Sequence, residues 1–177
     1  MFRNNIYHGV NGTAGEIGHI TIVDNGPICT CGNRGCLEAL AGGSAIVKRA
    51  QEELKKGKKS QLIGLGDIYQ FTINDIISAA RKGDILSQQL LDEAGNYLGT
   101  AIAGLVNLFN PSMVVIGGGL SQSGDLLLNP IRTTVLNRSL SVAAKTVKIS
   151  ASLLGRRASA MGAVVQAISK SLHKLSE

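Results

Sequence analysis

The chain has three cysteines, and all of them fall within eight residues: Cys29, Cys31 and Cys36. His19 stands ten residues before the first, giving the pattern His19-x9-Cys29-x-Cys31-x4-Cys36. Three thiols and one imidazole make a complete tetrahedral donor set for zinc. A metal held at those points would fix the path of the chain from residue 19 to residue 36, so this spacing constrains the fold first. Four protein ligands leave no open coordination position, which predicts a structural ion rather than a hydrolytic one. Gly32 and Gly35 allow the tight turn that returns Cys36 beside Cys29 and Cys31. Binding requires ionised thiols and so couples to pH and to loop order. Two other readings stand beside zinc. Ordinary buried thiols would need core spacing, which a polar, glycine-rich loop does not have. Disulfides would leave an odd cysteine, and a reducing compartment disfavours them.

The 177 residues predict one domain or slightly more. With 22 glycines and no tryptophan, aliphatic side chains and close backbone contacts must do the packing. No uninterrupted apolar run reaches the ~18 residues of a membrane span. The start "MFRNNIYHG" lacks the apolar core of a secretory signal. Both features predict a cytoplasmic protein. The net charge of +6 raises the question of an anionic partner. Its densest run, Lys55-Lys56-Gly57-Lys58-Lys59, reads instead as a solvated loop after an amphipathic helix, with no interleaved aromatics for base stacking. His8 and His173 have no metal-ligating company and read as surface or packing histidines.

Along the chain, residues 1–12 read as the tail of a strand hairpin with a turn near Asn4-Asn5, and Ile20 to Val23 as a strand ended by Gly26-Pro27. From Gly43 a helix is predicted with Ile46, Val47, Ala50 and Leu54 on one face. Residues 57–71 read as a connection. Thr72 and Asp75 are placed to cap a helix over Ile73 to Arg81. Leu86, Leu90, Ala94, Leu98, Ile102, Leu105 and Phe109 then recur at three- or four-residue steps, which predicts a long helix with a broad buried stripe. Gly95 and Gly99 cost that helix up to ~1 kcal/mol each, which points to close approach of another backbone. Asn110-Pro111 stops it. "SMVVIGGGLS" reads as strand and glycine turn, Leu126 to Leu140 as a helix whose second part begins at Pro130, Val147 to Ser150 as a strand, and Ala158 to Leu175 as a closing helix. This order predicts an α/β protein with a parallel component in its sheet.

Two carboxylates bracket the cysteine cluster, Glu16 three residues before His19 and Glu38 two after Cys36. Carboxylates accept hydrogen bonds from vicinal hydroxyls, the recurring feature of a sugar ring. Spacing alone leaves open whether these two bind a ligand or are merely solvated.

The segment "NGTAGEIGHITIVDNGPICTCGNRGCLE" closely resembles the signature of the ROK family of sugar-responsive repressors and sugar kinases. The likeness continues through "NYLGTAIAGLVNLFNPSMVVIGGGLSQSGDLLLNPI" and "LLGRRASAMGAVVQA". It implies the C-terminal half of an actin-like, ribonuclease H-like fold, with a mixed sheet flanked by helices. It implies a structural zinc on His19, Cys29, Cys31 and Cys36, and sugar contacts from Glu16, His19 and Glu38, the histidine using its non-metal edge. Asn11 is expected to line the same site, and Gly12 and Gly15 to permit close backbone approach. Gly117, Gly118 and Gly119 match the loop beside the adenosine of ATP in the kinases, although three glycines alone read equally well as a tight turn.

The resemblance also sets expectations for the parent protein. The family's acidic-glycine phosphate loop and its general-base aspartate are not in this sequence, so no catalytic residue is assigned. Residues 1–177 are expected to be the sugar-binding and oligomerisation domain, without the N-terminal domain. One expected parent is a repressor, with a sugar effector, a homodimer, and DNA contacted only through an N-terminal winged helix outside this chain. The other is a sugar kinase using ATP and Mg²⁺. Arg156, Arg157 and Ala158, where kinases of the family often carry acidic residues, lean toward the repressor. A third reading is a structural zinc module that binds no sugar.

Overall fold

The structure, a computed structural model, describes residues 6–176. After a 3₁₀ turn at Ile17–His19 come α1 (Leu37–Ala41), α2 (Gly43–Lys55), a 3₁₀ turn at Gln61–Leu65, α3 (Ile73–Arg81) and α4 (Ile85–Phe109). Strand β1 (Met113–Ile116) leads through a 3₁₀ turn at Gly119–Ser123 to α5 (Asp125–Arg138) and α6 (Ser141–Thr146). Strand β2 (Lys148–Ala151), a 3₁₀ turn at Gly155–Arg157 and α7 (Ala158–Ser176) close the chain. β1 and β2 pair in parallel, Met113 opposite Lys148 and Ile116 opposite Ala151. The α/β order and the parallel component are as expected.

Helix α4 is the spine. Leu86, Leu90, Ala94, Ile102 and Val106 are buried along it, facing Leu127, Ile131 and Val135 of α5 and Ile46, Ala50 and Leu54 of α2. The predicted stripe runs out at its end, since Phe109 is 55% exposed and Val106 takes the buried place. The two glycines are where α5 crosses. A Cβ on Gly95 would lie 2.8 Å from Pro130 Cβ, and one on Gly99 would lie 2.5 Å from Thr134 Cβ. Pro130 therefore does not begin a second helix. It sits inside one continuous helix and packs on Gly95.

Caps end the helices where the residue types say they should. The Asp75 carboxylate accepts from the Thr72 N–H at 2.7 Å and from its hydroxyl at 2.8 Å. Asp84 caps α4 by accepting from the Ser87 N–H at 2.8 Å, and also takes the Gln61 N–H at 2.7 Å and the Ser60 hydroxyl at 3.0 Å. Burial alone would raise the Asp84 pKa, but the hydrogen bonds from Ser87, Gln61 and Ser60 outweigh it and hold the carboxyl below its usual range. Asn110 ends α4 in the left-handed region at φ 43°. Arg132 of α5 donates to the Ile149 carbonyl from Nε at 3.3 Å and from a terminal nitrogen at 3.1 Å, while its other nitrogen holds Asp125 and Asn129.

Two strand expectations change. Residues 6–12 form no strand, and the proposed turn at Asn4-Asn5 lies outside the described residues. Ile20 to Val23 contributes a single antiparallel bridge, Thr21 to Cys36, because the following loop turns back after a few hydrogen bonds. The lysine run is solvated as read, with Lys56 and Lys58 both on Glu53, at 2.8 and 2.7 Å, and Lys55 over the Tyr69 ring. His8 is exposed, and the His173 side chain lies outside the described ones. No described helix is long and apolar enough to cross a membrane.

Candidate metal and sugar site

The 3₁₀ turn at Ile17–His19 presents the imidazole, and the chain then folds on itself as a narrow antiparallel loop. Gly35 O accepts from the Ile22 N–H at 2.8 Å, Gly35 N–H donates to Pro27 O at 2.9 Å, and Cys29 N–H donates to Asn33 O at 2.8 Å. A second bridge joins Ile28 to Arg34. Gly35, at φ +67°, is indispensable to this closure, since a Cβ there would stand 1.7 Å from Val23 O. Cys36 then leads directly into α1, which fixes Glu38 one residue inside the helix.

The four sequence-predicted donors meet. The donor atoms of His19, Cys29, Cys31 and Cys36 all lie within 4.8 Å of one another. Cys29 Sγ is 3.6 Å from His19 Nδ1, and Cys31 Sγ is 3.7 Å from Cys36 Sγ. A tetrahedron with metal–sulfur bonds of ~2.3 Å has edges of about 3.8 Å, so these separations suit one four-coordinate ion. The Cys31 backbone N–H is the main cause that brings the Cys29 thiol down to about 6, and burial pushes the Cys36 thiol up to about 12. The hydrogen bond that the protonated His19 ring donates to the Cys29 sulfur is the main cause that raises the His19 pKa. Close thiolates repel one another, and a shared cation would remove that conflict.

With Nδ1 on the sulfur side, His19 turns Nε2 outward to Glu16, whose Oε2 is 3.9 Å away. Glu38 approaches from α1. Its Oε1 is 3.5 Å from the Thr30 hydroxyl, and a Cβ built on Gly18 would lie 3.6 Å from its Oε2. Glu16 and Glu38 are both exposed. Two acceptors and an imidazole edge thus lie along the Ile17–His19 turn, Glu16 at His19 and Glu38 at Gly18, a pattern that suits hydroxyls. Asn11 lies earlier on the same exposed loop, and its carboxamide oxygen accepts from the Thr13 hydroxyl at 2.7 Å. Gly12 and Gly15 have positive φ, and a Cβ at either would meet nothing within 4 Å, so the backbone there is open to a ligand.

Gly117, Gly118 and Gly119 form a separate turn at the C-terminal end of β1. Gly118 has φ +78°, and a Cβ at any of the three would meet nothing within 4 Å. The Ser121 hydroxyl closes the turn on Gly118 O at 2.7 Å. The turn packs toward α3 and α5.

Sequence reasoning did not find the cleft behind the loop. It measures about 600 Å³ and is lined by Thr30, Glu38, Lys48, Glu52 and the trio Arg49, Glu93 and Tyr97, among others. Arg49 pairs with Glu93, which also accepts from the Tyr97 hydroxyl at 2.8 Å. Glu93 and Tyr97 share a face of α4 by their i, i+4 spacing, but nothing local indicates that Arg49, 44 residues earlier, joins them.

Comparison with known proteins matches these features. The ROK family model covers residues 1–170. A glucokinase from Halalkalibacterium halodurans is 41% identical over 162 residues, spanning 90% of this chain and 49% of its own. A xylose repressor from Caldicellulosiruptor bescii is 35% identical over 172 residues, spanning 97% of this chain and 43% of its own. The crystal structure of a ROK family glucokinase from Streptomyces griseus, in complex with glucose and AMPPNP, superposes with a TM-score of 0.78 at 33% identity. That match covers 87% of this chain and 51% of the other. The chain spans about half, or less, of each of these relatives. With its cysteine loop, glycine turn and α/β body all inside the matched region, the chain belongs to the ROK family, whose actin-like fold it shares.

Proposed function

We propose that this chain is the sugar-binding half of a ROK transcriptional regulator, organised by a structural zinc on His19, Cys29, Cys31 and Cys36. The observation that carries the reading is the shared placement of Glu16, His19 Nε2 and Glu38 beside the four-donor cluster. When bound, zinc supplies no chemistry on the sugar; it fixes the loop. The residues do the rest. Glu16 and Glu38 accept hydrogen bonds from neighbouring hydroxyls, and His19, oriented through Nδ1, offers Nε2 to a third. Asn11 and the open backbone at Gly12 and Gly15 extend the site. In a regulator the sugar is the effector, the protein acts as a homodimer, and DNA is contacted by a domain beyond this half.

The second reading is half of an ATP-dependent sugar kinase, with the turn at Gly117 to Gly119 beside the nucleotide. The 41% identity to a protein named as a glucokinase favours it. Both readings share the sugar site. Calorimetry with glucose, xylose, N-acetylglucosamine and N-acetylmannosamine, on metal-loaded and chelator-stripped protein, tests that site. Binding of one sugar by the loaded protein, lost on stripping and restored by zinc, is expected. Equal binding without metal would overturn the zinc role, and no binding at all would leave a structural zinc module. ATP-dependent phosphorylation of the bound sugar by the full-length protein would decide for the kinase, and sugar-dependent release of DNA for the regulator.

A further inference from the structure

The four donors are not equivalent. All four lie within 4.8 Å of one another, and two close contacts stand out among them, Cys29 against His19 Nδ1 at 3.6 Å and Cys31 against Cys36 at 3.7 Å between sulfurs. Within the second pair one partner is reachable and the other is not. Cys31 is exposed, while Cys36 is fully buried, with its Sγ 3.6 Å from the His19 carbonyl. Cys36 is also held by its neighbours, since it is bridged to Thr21 and leads into α1. Cys31 sits on the turn that Gly32 closes onto Cys29 O at 3.0 Å, and Gly32 has φ +92° with open space around it.

We propose that Cys31 and Cys36 are a reversible oxidation site that forms an intraloop disulfide with hydroperoxides and thereby ejects the metal. A disulfide needs its sulfurs at ~2.05 Å, so closure asks for a shift of less than 2 Å, which the exposed Cys31 turn can make. The Cys31 thiolate attacks the terminal oxygen of the hydroperoxide. An S–O bond forms, the O–O bond breaks, and the alkoxide or hydroxide leaves with a proton as alcohol or water. The Cys36 sulfur then attacks the Cys31 sulfur, forming the S–S bond, and the hydroxyl leaves as water with the Cys36 proton or, where Cys36 is ionised, with one from solvent. Two cysteine sulfurs together lose two electrons and one hydroperoxide is reduced. Only Cys29 and His19 remain as donors, too few to retain a structural ion. A dithiol reductant reverses the step by thiol–disulfide exchange. The metal part of this inference rests on the zinc reading above; the pairing of the sulfurs does not.

The test begins by measuring bound zinc on the full chain, then adds hydrogen peroxide while a chromogenic chelator follows metal release. Peptide mapping by mass spectrometry locates the bond. The expected result is metal release together with loss of two of the three thiols, a Cys31–Cys36 crosslink, and recovery with dithiothreitol and zinc. Cys31→Ser should abolish the crosslink, whereas Cys29→Ser should still form it. If the chain carries no metal as purified, the same mapping is done on that chain: a Cys31–Cys36 bond upholds the oxidation site while the zinc reading fails. A Cys29–Cys31 bond, an intermolecular bond, sulfinic acids without a disulfide, or thiols that survive peroxide would overturn the proposal.

Discussion

The backbone of Gly99 lies against Thr134, so close that a Cβ on the glycine would sit 2.5 Å from the threonine Cβ. The contact sets how nearly α4 and α5 can approach, and it makes a direct prediction. Gly99→Ala gains helix propensity but must push α5 away, and overpacking of this kind costs ~1–3 kcal/mol. Gly104→Ala, on the same helix with nothing within 4 Å of its new Cβ, keeps only the propensity gain. Thermal unfolding is expected to show a lower Tm for the first and a Tm raised by roughly 2–4 °C for the second. Equal shifts for both would contradict the packing.

A second prediction concerns Asp84, which ties the start of α4 to the Ser60-Gln61 turn. Its carboxyl titrates below the usual range in the folded chain. The stabilisation is therefore present above the unfolded aspartate pKa of about 3.9 and is lost as pH falls through and below it. Asp84→Asn keeps a cap acceptor but not the charge, and is expected to cost ~1–2 kcal/mol at neutral pH. Its acid-unfolding curve should be flatter than wild type below pH ~4, read by circular dichroism. A parallel curve would assign the acid sensitivity to other groups.

The third prediction isolates the loop. Gly35→Ala places a methyl group 1.7 Å from Val23 O, which no side-chain adjustment relieves. Metal content after purification should collapse, while far-UV circular dichroism keeps the signal of α2 to α5, whose core does not use Gly35. A variant that still bound stoichiometric metal would show that the loop closes by another path.

The fourth separates the proposed sugar contacts from the proposed metal ligands. Glu16→Gln and Glu38→Gln keep size and remove charge, and neither residue is in the four-donor cluster. Each is expected to weaken sugar binding by ~10–100-fold, the worth of a hydrogen bond to a charged acceptor, with zinc content unchanged. Affinity unaltered in both variants would remove these carboxylates from the site.

The helices were readable because their evidence is local. The Thr72/Asp75 cap, the face of Ile46, Ala50 and Leu54, and the crowded glycines at 95 and 99 each declare themselves within a few residues. The four-residue cluster was readable for a different reason: its residue types and spacing allow few other uses. What escaped depended on partners distant in the chain. Pro130 reads as a helix start until Gly95 is seen to receive it. Ile20 to Val23 has β-forming residues but only a short turning loop to pair with. The five-residue α1 and six-residue α6 are too short for periodicity to register. Arg49 meets Glu93 only because α2 crosses α4.

Arg132 has a role that reaches beyond its own helix. The Ile149 carbonyl, with two guanidinium donors on it, is no longer free to recruit another backbone, and the charge beside it is held by Asp125. An incoming strand would have to evict an ion to extend the ladder on that side. One arginine thus engages a backbone acceptor of β2, at Ile149, that an added strand would otherwise use.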